Sequence, residues 1–260
     1  MSKVIATSAR KGGVGKTTTS VSLAAALVRQ GKKVLIIDAD SQHSATVSLG
    51  VAEPDILPFT LATVMQSIIN EQEIDPTAGL LSHTEGIFLL PSNNTLTGIE
   101  VSLAPIIGRE TVLRQYIDKV RGLFDYILLD TAPTLDLLTV NALAAADNVI
   151  IPVAPKYLDA KGLELLLKSI AQIRRHINPN LSISGILLTM VDKRANITKS
   201  IISMIEQAYG EKINIFKNPI PHSVRVIETS ATGKSIFEHE PNGRVATAYT
   251  SLAEEVLKSA

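Results

Sequence analysis

Lys11-Gly-Gly-Val-Gly-Lys-Thr-Thr18 is the stretch that decides the fold. It stands between a short apolar run, Lys3 to Thr7, and a segment of helical period, Thr17 to Gln30, closed by Gly31. Strand, glycine-rich turn and helix in that order bring backbone N–H groups and a helix N-terminus onto one anion. Gly12, Gly13 and Gly15 let the backbone approach phosphate oxygens with no Cβ between, and Val14 completes the turn. Lys16 is placed for the β and γ phosphates, the Thr17 hydroxyl for Mg²⁺, and Thr18 for the α phosphate. The common pattern G-x-x-x-x-G-K-[ST] is altered at one end: Arg10 stands where its first glycine belongs, and a second lysine, Lys11, follows it.

Outward from the loop, apolar runs rich in Val and Ile alternate with longer segments of helical period. That is the pattern of βαβ units, and it predicts a doubly wound, mostly parallel α/β sheet flanked by helices. The runs Lys3 to Thr7, Lys33 to Asp38, Ile87 to Leu90, Tyr126 to Asp130, Asn148 to Val153 and Ser184 to Thr189 read as strands buried on both faces. Thr17 to Gln30, Arg109 to Arg121, Leu137 to Ala146, Ala160 to Ile177 and Thr198 to Tyr209 read as helices. The stretch from Gly50 to Gly86 is the least regular, and a helical excursion or lid-like insert is expected there. Near the end, Val245, Tyr249, Leu252, Ala253, Val256 and Leu257 share one helical face with Glu254 and Glu255 elsewhere, which suits packing on the domain better than lying on an anionic membrane. The expectation is one domain over residues 1–260.

Composition narrows the chemistry. With 260 residues and 45% hydrophobic content the chain can bury a sizeable core. It has no cysteine, which excludes disulfides, a thiolate-held iron–sulfur cluster and a cysteine nucleophile. No stretch reaches the roughly 18 uninterrupted apolar residues of a membrane span, so a soluble protein is expected, and the absence of cysteine fits a reducing cytoplasm. Formal net charge is zero, so contact with nucleic acid would have to come from a local patch.

A magnesium nucleotide also needs carboxylates at the C-terminal ends of neighbouring strands. Val34-Leu-Ile-Ile-Asp38-Ala-Asp40 supplies two acids just past one buried run, and Tyr126-Ile-Leu-Leu-Asp130 supplies a third. Asp130 reads as the Walker-B carboxylate that holds metal through its water shell. For the base, Thr189-Met190-Val-Asp192 has methionine where a guanine site would place lysine, which favours adenine and hence ATP.

Lys11 to Thr18, Asp38-Ala-Asp40-Ser-Gln42, Asp130-Thr-Ala-Pro133 and Pro221-His-Ser-Val-Arg225 together resemble the ParA/Soj family of deviant-Walker partition ATPases, over about residues 2 to 257. The resemblance implies an ATP-dependent sandwich homodimer in which Lys11 of one subunit reaches the phosphates bound by the other, acting like an arginine finger. It implies that Lys16 is catalytic as well as binding, that Asp40 orients or activates the attacking water, and that Asp38 lies beside the metal with Thr17 and Asp130. It places the adenine near Met190 and Pro221. It also implies non-specific double-stranded DNA binding through Arg194 and Arg225, with Lys193, Lys199, Lys217 and Lys234 as weaker candidates, a ParB-like partner, and a nucleoid-associated life in the cytoplasm.

The sequence departs from the family pattern at Ala132, Ser41 and His222, where two prolines and a basic residue are usual. Two other functions stay open at this point: a MinD-like positioning ATPase at the membrane, and a ParA-like ATPase that positions a cargo other than DNA. The first should end in a basic amphipathic helix, whereas this chain ends Leu252-Ala-Glu-Glu-Val-Leu-Lys-Ser-Ala260, so no stable membrane association is expected.

Overall fold

In the computed structural model, residues 2–192 and 194–259 are described, the side chains of 157–160 excepted. Side chains hidden on both faces mark a central parallel strand, and Val34 to Ala39 has no exposed residue. The elements run β1 (Lys3–Thr7), α1 (Lys16–Arg29), β2 (Val34–Ala39), α2 (Ser44–Ser48), α3 (Leu61–Ile69), β3 (Leu81–Ser82), β4 (Ile87–Leu90), α4 (Leu96–Leu103) and α5 (Val112–Val120). They continue as β5 (Tyr126–Thr131), α6 (Leu137–Ala145), β6 (Asn148–Val153), α7 (Tyr157–His176), β7 (Ser182–Leu188), α8 (Asn196–Tyr209), α9 (Arg225–Thr232), α10 (Ile236–His239) and α11 (Arg244–Lys258).

The seven strands form one sheet in the order β3-β4-β2-β5-β1-β6-β7. Every pairing is parallel except that of β3 with β4. Alternation along each strand divides the core in two. Val4, Ala6, Leu35 and Ile37 face the layer built on α3 to α8, while Ile5, Val34 and Ile36 face α1, α10 and α11. Leu23 and Leu27 of α1 are fully buried, and truncating either to Ala should cost about 2–5 kcal/mol. The buried Tyr249 hydroxyl lies 3.3 Å from Thr19 Oγ1 and ties α11 to α1 just behind the glycine turn.

The expected doubly wound sheet is present, with local differences. The irregular region holds α3 as the helical excursion and also contributes the edge strand β3. Arg109–Thr111 forms a 3₁₀ turn, and the helix expected from Arg109 becomes α-helical only at Val112. β7 begins at Ser182, ahead of the expected Ser184. The short helices α4 and α9 carry no long apolar stripe and are not legible in the sequence pattern. Among the described residues no helix is long and apolar enough to cross a membrane. Lys193, one of the weaker DNA candidates, lies outside the described residues.

Candidate functional site

The glycine turn leaves the C-terminal end of β1 and enters α1 with Gly13 at φ +71° and Gly15 at φ +86°. These left-handed dihedrals are the physical demand for glycine at the two positions. Thr189 Oγ1 donates to the Val14 carbonyl at 2.8 Å and fastens the turn to the end of β7. Lys16 opens α1, is buried, and its Nζ donates to the Lys11 carbonyl at 3.4 Å. Burial pushes the Lys16 pKa below the ordinary lysine value, and Asp130 and then Asp40 pull it back.

A cavity of about 650 Å³ opens over the turn. Its walls include Gly12, Gly13, Gly15, Lys16, Thr17 and Thr18, then Asp40, Pro133 and Met190. Met190 is one of the non-glycine residues with a left-handed backbone, at φ +54°. Pro221 does not line this cavity; it pairs with Val191 in a short parallel bridge, one residue beyond Met190. Lys11 borders a separate depression with Arg10, Val14 and Val153. Its side chain therefore lies outside the lining of its own chain's cavity.

The acids come together through sheet register. Asp38 and Asp130 face each other across β2 and β5, and both are fully buried. Asp130 accepts from Thr17 Oγ1 at 2.7 Å and from Ser20 Oγ at 2.8 Å. Asp38 accepts from the Thr46 N–H at 2.8 Å and the Thr46 hydroxyl at 2.7 Å, both on Oδ2, and from the Asp40 N–H at 3.2 Å on Oδ1. Burial, then the charge of Asp130, pushes Asp38 up to about 7 against the bonds from Thr46 and Asp40. Burial pushes Asp130 up to about 6 against Thr17, Ser20 and Lys16. Two buried carboxylates each held above the usual range form a site whose charged state a divalent cation would restore. With the Thr17 hydroxyl beside them the donors are all hard oxygens, as Mg²⁺ requires. The residues fit the ion.

Asp40 is buried yet lines the cavity. Its Oδ1 accepts from the Gln42 N–H at 2.9 Å, and its carbonyl accepts from Ser92 Oγ at 2.9 Å. The Ser92 N–H in turn donates to Thr46 Oγ1 at 2.9 Å. Ser20, Thr46 and Ser92 are supports that sequence reasoning missed. Ser20 carried a faint signal, since it lies one helical turn beyond Lys16; Thr46 and Ser92 carried none.

The two arginines lie at one end of the fold. The Val191 N–H donates to the Ile220 carbonyl at 3.0 Å and the His222 N–H to the Val191 carbonyl at 3.2 Å, so the loops before α8 and α9 run side by side. Arg194 is exposed and pairs with Asp192 at 3.2 Å. Arg225 opens α9 and pairs with Glu228 at 3.0 Å. Exposed pairs of this kind contribute little and are readily exchanged for other anions. Lys234 lines the far side of the nucleotide-sized cavity and pairs with Glu238 at 3.0 Å.

A family model described as an AAA domain matches residues 2–183. The chain is 38% identical over 258 residues to the sporulation initiation inhibitor protein Soj of Bacillus subtilis, covering 98% of each. It is 39% identical over 253 residues to the chromosome-partitioning ATPase Soj of Thermus thermophilus, covering 97% of this chain and 94% of that one. The chain belongs to the ParA/Soj family of partition ATPases. Among solved structures, that of cobyrinic acid a,c-diamide synthase from Mycobacterium smegmatis, with bound ATP analog and magnesium, is similar at TM-score 0.86 and 32% identity, covering 99% of this chain and 95% of that one. The deviant-Walker turn of the ParA/Soj family is thus carried here on a sheet that sets its acids opposite one another.

Proposed function

We propose that this chain is a single-domain, ATP-dependent dimerising ATPase that binds DNA without sequence preference and drives DNA partition with a ParB-like partner on the nucleoid. As a ParA/Soj member it is an ATP hydrolase that works with ATP and Mg²⁺. The observation that carries the reading is the convergence of the glycine turn and Lys16 with two buried strand-end acids and the cavity-facing Asp40.

The glycine turn and the N-terminus of α1 receive the phosphates, and Lys16 neutralises the β and γ oxygens. Thr17, Asp130 and Asp38 would hold Mg²⁺, which would supply Lewis-acid neutralisation of phosphate charge. Asp40 has one carboxylate oxygen fixed by the Gln42 N–H, and its other oxygen orients the attacking water. Lys11 is supplied across the dimer interface to the partner's triphosphate, where it stabilises the charge that develops on the transferring phosphoryl group. Its place outside its own chain's cavity lining supports action in trans. Met190 bounds the base, with Pro221 behind it. Arg194 and Arg225 meet DNA phosphates, a term that is strongly salt-dependent.

The test is binding to arbitrary duplex DNA with ATP, ADP or no nucleotide across a salt series, comparing the wild type with Arg225→Ala and Arg194→Ala. ATP-dependent binding that falls steeply with salt, and less steeply in either variant, supports the reading. Indifference to DNA together with binding to anionic liposomes would replace it with membrane positioning.

A further inference from the structure

A second cavity, of about 440 Å³, lies between α8 and the segment 215–219 that runs beside β7. That volume is in the range of small-molecule pockets. Its walls are apolar: Leu188, Val191, Ile202, Ile215, Phe216 and Pro219. Three features of its lining point to an anion. Lys199 and Lys217 both border it, and among the described residues neither ammonium group is paired with an acid. The first turn of α8 borders it too, and the N-cap residue, Ala195, has no side-chain oxygen with which to satisfy the helix N–H groups. Thr198 in that first turn is 7% exposed and lines the cavity, yet its hydroxyl has no hydrogen-bond partner among the described residues. That hydroxyl is not itself sealed from solvent, so a ligand atom can reach it. Glu206 also lines the cavity and Glu255 accepts the Lys217 backbone N–H at 3.3 Å, but among the described residues neither acid is paired with a lysine ammonium there.

We propose that this cavity binds a small amphipathic acid, with its apolar tail against Ile202 and Phe216 and its carboxylate at Thr198, Lys199 and Lys217. The site is separate from that of the triphosphate but shares a wall with it, because Met190 lines one cavity and Val191 the other. The size favours a small acid over a peptide, since a 440 Å³ space holds one short chain.

Isothermal titration with sodium octanoate, with octan-1-ol and octylamine as neutral and cationic probes, tests the proposal on the full chain. Saturable one-site binding of octanoate is expected, at least roughly fivefold tighter than either other probe. Thr198→Val should weaken octanoate about fivefold, Lys217→Met should weaken it by a similar factor, and Ile202→Phe should abolish it by filling the space. ATP binding by the same variants reports that each has folded. Should Ile202→Phe misfold, the isosteric Thr198→Val still decides. Any of four results overturns the proposal: no saturation by octanoate, equal affinity for octylamine, unchanged binding in both Thr198→Val and Lys217→Met, or full displacement of octanoate by magnesium ATP. Capture of an acidic peptide with no binding of octanoate would equally overturn it.

Discussion

Thr46→Val removes one oxygen atom and nearly no volume, and its consequence can be worked from the hydrogen bonds. In the wild type that hydroxyl donates to Asp38 Oδ2 at 2.7 Å and accepts from the Ser92 N–H at 2.9 Å. Thr46, Asp38 and Ser92 are all fully buried, so water cannot replace either bond. A bond to a charged group contributes about 1.5–3 kcal/mol, and an orphaned buried N–H costs about 1–3 kcal/mol. The variant should therefore lose at least about 2.5 kcal/mol at pH 8, where Asp38 is ionised. Urea unfolding of the nucleotide-free protein measures this as a lower midpoint at unchanged slope. The loss also depends on pH. The Thr46 bonds oppose the upward push on Asp38, so removing one raises that pKa further. At pH 5.5 the carboxyl is protonated in both proteins and the charged component of the difference disappears, leaving mainly the cost at Ser92. A loss below about 1 kcal/mol at pH 8, or one that is the same at both pH values, would refute the reasoning.

Lys16→Ala should abolish ATP binding, whereas Asp40→Ala should bind ATP normally and accumulate an ATP-bound dimer; equilibrium nucleotide binding and light scattering separate them, and unchanged turnover in Asp40→Ala would reject its role. Asp38 and Asp130 titrate near 7 and 6 in the folded chain, above the ordinary carboxylate range. The folded state then binds more protons than the unfolded one between about pH 4 and pH 7, so stability of the nucleotide-free protein falls as pH rises through that window. Magnesium ADP should flatten the fall, and urea midpoints at pH 5.5 and 8 check both statements. Gly233 sits at φ +65°, where an added Cβ would lie 2.6 Å from Gly50 Cα; Gly233→Ala should cost about 2–4 kcal/mol and separate α9 from α2, seen as a lower melting temperature.

How much of this was readable before the fold is best seen at particular residues. Lys3–Thr7 and Ile87–Leu90 were placed to the residue, because a largely buried strand writes itself as a short apolar run with a polar residue or a Gly or Pro at each end. The glycine turn was readable for a related reason: its dihedrals and its lysine are local requirements. Asp38, Asp40 and Asp130 were readable as acids at strand ends. Their partners were not. Thr17 and Asp130 are 113 positions apart and Thr46 and Ser92 are 46 apart, and nothing periodic in a sequence announces which hydroxyl will face which carboxylate. The short helices α4 and α9 escaped notice because so few turns give no clear period.

The sequence by itself determined the layered α/β architecture, the phosphate-binding turn and the identity of the acids, since each depends on residues within a few positions of one another. Only the tertiary structure decided that β2 lies against β5, that Asp38 thereby faces Asp130 in the buried interior, and that a second cavity opens beside β7. Those facts come from the order of strands in the sheet, which is fixed by the joint burial of many distant side chains and is written in no single segment.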